Sequence, residues 1–231
     1  MITNHRIVAL QQKLEEQQLD GAVYATSASL QYLLDDTTFY WQRSMETGMY
    51  VFPGTPLYST EMSYFHCKPD ILLWVPKCGK ATVIATYARA ATMPNTKADI
   101  TCHYVMFGAN LADSIGNVKK IGIGLGCFTA IKAMITMEAD PSIECIQAEN
   151  LVEELRMCKE PKEIEAMRKV AAFTDECMGK ICDILRPGVT QWEVENKLNQ
   201  LGIDGGCEDI PFSPSCTFTK TGDPRCAEKV G

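Results

Sequence analysis

The spacing of apolar and polar residues changes between predicted helices and a predicted strand in the first 34 residues. Residues 4–18 repeat apolar side chains at steps of three and four, which predicts an amphipathic helix capped by Thr3 or Asn4. A short strand is predicted after the turn that follows this helix. Ser27 then caps a second predicted helix over residues 28–34. The opening of the chain is therefore predicted to be a helix–strand–helix unit.

Short apolar runs separated by turn residues dominate the middle of the chain, which is typical of strands. The predicted strands cover residues 22–24, 48–52, 56–60, 71–75, 81–85, 101–105, 120–124 and 143–147. A helix is predicted over residues 129–137, between the last two strands. Because strands and helices alternate, the pattern predicts an α/β fold with a mixed sheet rather than a helical bundle or a β-sandwich.

Helical spacing takes over after residue 148. Asn150 and Glu153 are predicted to form a capping box that opens a short helix, and Pro161 suits the first turn of the next one. Thr190 and Glu193 are predicted to cap a further helix that ends near residue 201. The long middle helix carries an apolar stripe at Ile164, Met167, Ala171, Thr174, Met178, Ile181 and Leu185.

This stripe needs an apolar surface to cover it. Residues 202–231 can supply at most one or two strands. Burial of apolar surface stabilises a fold by ~25 cal/mol per Å², and so small a partner cannot cover the whole stripe. We therefore expect an open half-layer, with the chain ending inside a domain. The expected organisation is an N-terminal α/β domain over residues 1–150 and the start of a second domain over residues 151–231.

Composition narrows the class of protein. The 22 Lys and Arg residues against 29 Asp and Glu residues give a net charge of −7, which argues against a nucleic-acid partner or an anionic membrane surface. The apolar runs are far shorter than the ~20 residues of a membrane-spanning helix, and no signal-peptide pattern follows the first residue. Eleven cysteines without a Cys-x-x-Cys pair indicate reduced thiols, so we expect a cytoplasmic protein.

The sequence offers few candidates for chemistry, and no catalytic or metal-binding residue is assigned from spacing alone. Gly122, Gly124 and Gly126 lie between a predicted strand and helix, but Cys127 occupies the last glycine position of a dinucleotide fingerprint. We interpret these glycines as a point of close helix–sheet packing, with nucleotide binding as the rival interpretation. A metal site built from Glu61, His66 and Cys67 is disfavoured because no second ligand pair follows at helical spacing.

Two stretches together resemble the creatinase/prolidase/aminopeptidase P family of pita-bread metallopeptidases. The first is residues 6–34, which includes Leu-Asp-Gly-Ala at 19–22. The second reads Leu-Arg-x-x-Lys-x-Pro-x-Glu-Ile at residues 155–164, followed by Arg-Pro-Gly-Val-Thr-x-x-Glu at 186–193. The sequence departs from the family pattern where Leu-Asp-Asp at 34–36 replaces a small residue and glycine.

The resemblance implies a mixed-sheet creatinase-type N-terminal domain followed by the first helices of an α+β pita-bread domain. It implies a homodimer that hydrolyses a Xaa-Pro peptide bond or a related small amide. The intact protein would use two divalent ions (Mn, Co or Zn) held by two Asp, one His and two Glu, all of which would lie after residue 231. This chain would then hold no cofactor and be inactive alone. The alternative is a non-catalytic, peptidase-like module that binds other proteins, a role that the same fold has in a histone-chaperone subunit.

One segment of the N-terminal domain has an implied role in substrate binding. Residues 39–43, Phe-Tyr-Trp-Gln-Arg, resemble a creatinase-like segment from which an aromatic residue and an arginine reach the active site of the neighbouring subunit. We assign this hypothesis to Trp41 and Arg43, since a guanidinium can donate two parallel hydrogen bonds to a substrate carboxylate. The alternative is a surface arginine beside a loop aromatic residue.

Overall fold

The computed structural model of the chain describes residues 4–25, 27–35, 71–85, 90–91, 93, 98–102, 107–124, 128–207 and 214–218. The chain divides into two compact units, one ending at Cys158 and the other starting at Lys159. The strands predicted at 48–52 and 56–60 lie outside the described residues. The domain limits predicted at residues 150 and 151 stay a prediction.

A mixed sheet forms the centre of the first unit. Its strands among the described residues are β1 (Gly21–Ala25), β2 (Ile71–Pro76), β3 (Thr82–Ala85), β4 (Asp99–Cys102), β5 (Lys120–Ile123) and β6 (Glu144–Gln147). Their order in space is β4-β3-β2-β1-β5-β6. Strand β2 runs antiparallel to β1 and β3, whereas the other neighbouring pairs are parallel. The predicted mixed α/β sheet is therefore confirmed.

Helices cover both faces of this sheet. They are α1 (His5–Glu16), α2 (Ala28–Leu34), α3 (Phe107–Ile115), α4 (Phe128–Glu138) and α5 (Glu149–Met157). Helices α1, α2 and α5 bury Leu10, Leu30 and Val152 in a core that includes Tyr24 of β1. Helices α3 and α4 pack in a second core that includes Val23, the neighbour of Tyr24. Successive residues of β1 thus point to opposite cores, as the pleat of a strand requires.

Most predicted elements of this unit are confirmed, and two predictions fail for identifiable reasons. Helix α3 was not predicted, because Gly108 and Asn110 are poor helix formers and the helix depends on packing of its apolar residues, such as Leu111, into the core. The predicted capping box at Asn150 is wrong. Helix α5 begins at Glu149, after Ala148, because the Ala148 N–H donates to the Ile123 carbonyl at 2.9 Å and holds the chain in the sheet up to that point.

The second unit contains the helices α6 (Pro161–Cys182) and α7 (Gln191–Asp204). Pro161 lies in the first turn of α6, as predicted. The predicted capping box of α7 is also confirmed, because the Glu193 N–H donates to Thr190 Oγ1 at 3.2 Å and the Thr190 N–H donates to Glu193 Oε2 at 2.8 Å. A small core joins the two helices through Cys177, Ile181, Val194 and Leu201.

The predicted apolar stripe of α6 is only partly buried. Ile181 is covered by contacts in the small core of the second unit. Met167 and Met178 belong to the same stripe, yet their exposed fractions are 59% and 50%. The second unit is thus an open layer within the described residues. Separately, none of the described helices combines the length and the apolar character that are needed to cross a membrane.

Candidate functional site

The structure does not place the residues that the sequence analysis connected with substrate or metal. Trp41 and Arg43 lie outside the described residues, as do Glu61, His66 and Cys67. Among the residues that are described, no three His, Cys, Asp or Glu side chains come together in a group that could hold a metal ion. The described part of the chain therefore does not provide the five-ligand metal cage that the resemblance implies for the intact protein.

The topology of the sheet points to one place where a ligand could bind. Strands β1 and β5 are parallel neighbours. Helix α2 follows β1 on one face of the sheet, and α4 follows β5 on the other. Open α/β sheets bind ligands at such a switch point, beyond the carboxyl ends of the two strands. The glycines predicted to mark close packing begin at this end of β5.

Close packing accounts for two of these glycines. A Cβ added to Gly122 would lie 2.4 Å from the Cβ of Ala148. A Cβ on Gly124 would lie 2.8 Å from the Tyr24 ring and 3.0 Å from Glu149 Oε2. Contacts this short leave no room for a side chain. The interpretation of close helix–sheet packing is confirmed for both positions, while Gly126 lies outside the described residues.

The polar groups at the switch point between β1 and β5 form hydrogen bonds with one another. The Tyr24 hydroxyl donates to the Ala148 carbonyl at 2.9 Å. The Ser29 hydroxyl, which is fully buried, donates to the Glu149 carboxylate. Burial and the nearby Glu149 carboxylate raise the pKa of Tyr24 well above its usual range, so the phenol stays a neutral donor. These bonds join β1 and α2 to the start of α5.

This arrangement is unsuited to phosphate. A phosphate loop offers free backbone N–H groups, but the Gly124 N–H already donates to the Val23 carbonyl at 2.9 Å. The Glu149 carboxylate beside Gly124 would also repel an anion. The described part of the glycine run, up to Gly124, therefore acts as a structural joint between the sheet and α5, and these residues give no support to the rival interpretation of nucleotide binding.

A second joint lies at the opposite end of the same strands. Asp20 accepts hydrogen bonds from Lys77 Nζ at 2.8 Å, from the Lys119 N–H at 2.8 Å and from the Lys120 N–H at 3.2 Å. These bonds, with that from Lys77 the strongest, lower the pKa of Asp20 to about 2. Asp20 thus connects the start of β1 to the end of β2 and the start of β5.

A buried cation that the sequence pattern did not reveal lies in the first of the two family-like stretches, residues 6–34. Arg6 donates to the Tyr32 carbonyl at 3.0 Å, and its guanidinium lies 4.1 Å from the centre of the Tyr32 ring. It also lies 3.5 Å from the Asp35 carboxylate. The position of Arg6 in the sequence could have indicated its burial. Arg6 precedes Leu10 by four residues, so both side chains lie on the buried side of α1. Arg6 connects the start of α1 to the end of α2.

Comparison with known protein families gives two consecutive matches. Residues 6–158 match the Creatinase/Prolidase N-terminal domain. The chain belongs to the creatinase/prolidase family. Residues 165–226 match the Metallopeptidase family M24, so the creatinase-type domain is followed by the start of an M24 domain. The family and the fold class expected from the sequence are therefore confirmed.

Solved structures of the creatinase/prolidase family share this fold at low identity. A Xaa-Pro dipeptidase from Bacillus anthracis has 20% identity and a TM-score of 0.65, over 87% of this chain and 49% of its own. A prolidase from Thermococcus sibiricus has 17% identity and a TM-score of 0.65, over 93% of this chain and 54% of its own. A prolidase from Pyrococcus horikoshii has 13% identity and a TM-score of 0.63, over 89% and 50%.

The chain thus spans about half the length of these structures. A search of curated protein sequences gives no match.

Proposed function

We propose that the chain is the N-terminal portion of a metal-dependent hydrolase that cleaves a Xaa-Pro peptide bond or a related small amide. The observation that carries this proposal is the pair of consecutive family matches, 6–158 and 165–226. Further support comes from similar structures named prolidase and Xaa-Pro dipeptidase, of which the chain spans about half. A cytoplasmic homodimer is part of the same proposal.

The chain by itself is expected to be inactive. In the second unit, Glu163 and Glu193 accept backbone N–H groups in capping boxes. Glu165 pairs with Lys169 at 2.7 Å, and Glu176 pairs with Lys180 at 2.6 Å near the other end of α6. These carboxylates stabilise helices and do not converge on one point. The two divalent ions of the intact protein, Mn, Co or Zn, would accordingly need ligands from outside the described residues.

The test of this expectation is an assay of the purified chain with Ala-Pro and Mn²⁺. We expect no release of proline above the rate without protein, whereas an active Xaa-Pro dipeptidase serves as the positive control. Turnover that scales with the concentration of the chain would contradict the proposal. The complete gene separates the hydrolase from the non-catalytic alternative, because only a hydrolase needs two Asp, one His and two Glu beyond residue 231.

Trp41 and Arg43 are proposed to contact substrate in the neighbouring subunit of the intact enzyme. The Arg43 guanidinium would donate two parallel hydrogen bonds to the C-terminal carboxylate of a dipeptide. Arg43→Ala should lower kcat/KM by about tenfold or more for a dipeptide, because a charge-assisted pair is lost. Arg43→Lys should recover only part of this loss, since an ammonium lacks the planar fork.

The matched control for Arg43 is a dipeptide amide, which lacks the carboxylate. The kcat/KM for the amide should change little in Arg43→Ala. Equal losses for the acid and the amide would show that Arg43 acts on something other than the carboxylate, and an unchanged kcat/KM for both would exclude contact with substrate.

A further inference from the structure

The dipeptide Asp–Gly occurs twice in the sequence, at Asp20–Gly21 and at Asp204–Gly205. This dipeptide rearranges spontaneously when it is free to move, because glycine has no Cβ that would shield its amide nitrogen. The glycine nitrogen bonds to the aspartate Cγ, a water molecule leaves and a succinimide forms. Water then opens the ring at either carbonyl and yields aspartate or isoaspartate. The reaction needs no oxidant and no enzyme, so the local structure decides where it occurs.

The sheet holds the first of these pairs in place. The Asp20 carboxylate accepts three hydrogen bonds from residues at the ends of β2 and β5, which leave it little freedom to turn towards the Gly21 nitrogen. Gly21 itself lies inside β1, where it is the register partner of Pro76 in β2 and of Ile121 in β5. The lowered pKa of Asp20 also keeps the group ionised, and a carboxylate is a poorer electrophile than the neutral acid.

The second pair lies at the end of α7, where residues 203–207 are exposed. The Asp204 carboxylate accepts a hydrogen bond from Gln200 Nε2 of the same helix at 2.7 Å. The Gly205 N–H donates to the Leu201 carbonyl at 2.9 Å, which is a bond of the last helical turn. The last turn of a helix opens more readily than a strand in a core. Opening of this turn releases both the nitrogen and the carboxyl group that the reaction joins.

Packing within the second unit requires glycine at position 205. A Cβ added to Gly205 would overlap the ring of Phe173 on α6. Phe173 in turn packs against the small core that joins α6 and α7. A larger residue at position 205 would slow the rearrangement but would also displace this ring. The fold therefore keeps a reactive dipeptide at an exposed helix end.

We propose that Asp204–Gly205 is a site of isoaspartate formation in the folded chain, whereas the sheet protects Asp20–Gly21. Isoaspartate at position 204 routes the main chain through the side-chain methylene, so the backbone becomes longer just before Gly205. The free carboxylate moves to the α-carbon, away from the position that the Gln200 amide contacts. The last turn of α7 should loosen as a result. This proposal does not depend on the enzymatic role of the chain.

The test is ageing of the whole chain in neutral buffer, followed by peptide mapping with electron-transfer fragmentation, which distinguishes isoaspartate from aspartate at equal mass. Isoaspartate should accumulate at position 204 about tenfold or more faster than at position 20, because a helix end opens more often than a strand in the core. In a sample unfolded in guanidinium chloride, the two positions should react at similar rates, since the protection by the sheet is lost. No isoaspartate at position 204 of the folded chain would overturn the proposal, as would equal rates at both positions.

The matched control is Asp204→Glu, which keeps a carboxylate at the end of α7 but would have to close a larger ring, a slower reaction. This variant should stay unmodified at position 204, with the rate at position 20 unchanged. Hydrogen exchange provides the structural readout. The aged wild-type chain should lose protection in the last turn of α7 in proportion to its isoaspartate content, and the aged variant should not. An equal loss of protection in both chains would contradict the proposed effect on the helix.

Discussion

Single polar side chains at the two ends of β1 link separate segments of the first unit. Asp20 joins three segments at the entry of β1, and the Ser29–Glu149 pair joins α2 to α5 at its exit. Ser29 and Glu149 are 120 residues apart in the chain, so no local pattern could have predicted their contact. In contrast, Asn4 and Ser27 were predictable as helix caps, because a cap depends only on the next few residues.

The carboxylate of Asp20 should stabilise the fold in a pH-dependent way. Asp20→Asn keeps the shape of the side chain but removes its charge, and we expect it to lower the free energy of unfolding by about 1 kcal/mol at neutral pH. The pKa of Asp20 falls from 3.8 to about 2 on folding, so the stabilisation is complete above the higher value and is lost as the pH falls through the lower one. Urea unfolding at several pH values measures this difference.

Asp113→Asn is the matched control, because Asp113 is an exposed aspartate on α3. This control should unfold at the wild-type urea concentration at neutral pH. The account of Asp20 fails if the gap between wild type and Asp20→Asn persists unchanged down to about pH 2, or if the gap is absent at neutral pH.

At the scale of elements, periodicity predicted the strands and helices whose own residues favour them. Helix α6 was recognisable from its stripe and from Pro161 in its first turn. Helix α3 was not, since its stability comes from contacts with the second core and not from its own residues. The start of α5 was misplaced for a related reason, because a hydrogen bond within the sheet at Ala148 determines it.

Position 122 on β5 should not accept a side chain, because it lies against Ala148 just before α5. Gly122→Ala places a Cβ 2.4 Å from the Cβ of Ala148, so we expect a loss of about 1–3 kcal/mol in the free energy of unfolding of the first unit. Chemical denaturation, with hydrogen exchange to report each unit separately, measures this loss.

Gly179→Ala provides the opposite control on α6. No atom lies within 4 Å of its added Cβ, and alanine favours a helix over glycine by about 0.5–1 kcal/mol, so the second unit should become more stable. A first unit that accepts Gly122→Ala without loss would contradict the close packing and would reopen the glycine run as a binding loop.

At the scale of the whole molecule, the family was predictable from the motifs at residues 155–164 and 186–193, because several of their residues stand where only certain residue types fit. Pro161 and Thr190 lie at the starts of α6 and α7, and Gly188 has a positive φ of 91° in the turn between these helices. The substrate site was less predictable. Trp41 and Arg43 depend on a neighbouring subunit in the proposed role, and spacing within one chain does not report such contacts.

The central proposal is that this chain, which carries the creatinase-type domain and the start of the M24 domain, does not by itself hold the metal ions of the intact protein. Calorimetric titration of Mn²⁺ into the whole chain near neutral pH tests this claim most directly, with an active Xaa-Pro dipeptidase titrated alongside. The account predicts no saturable binding to the chain. Tight binding of one or two ions per chain would contradict it.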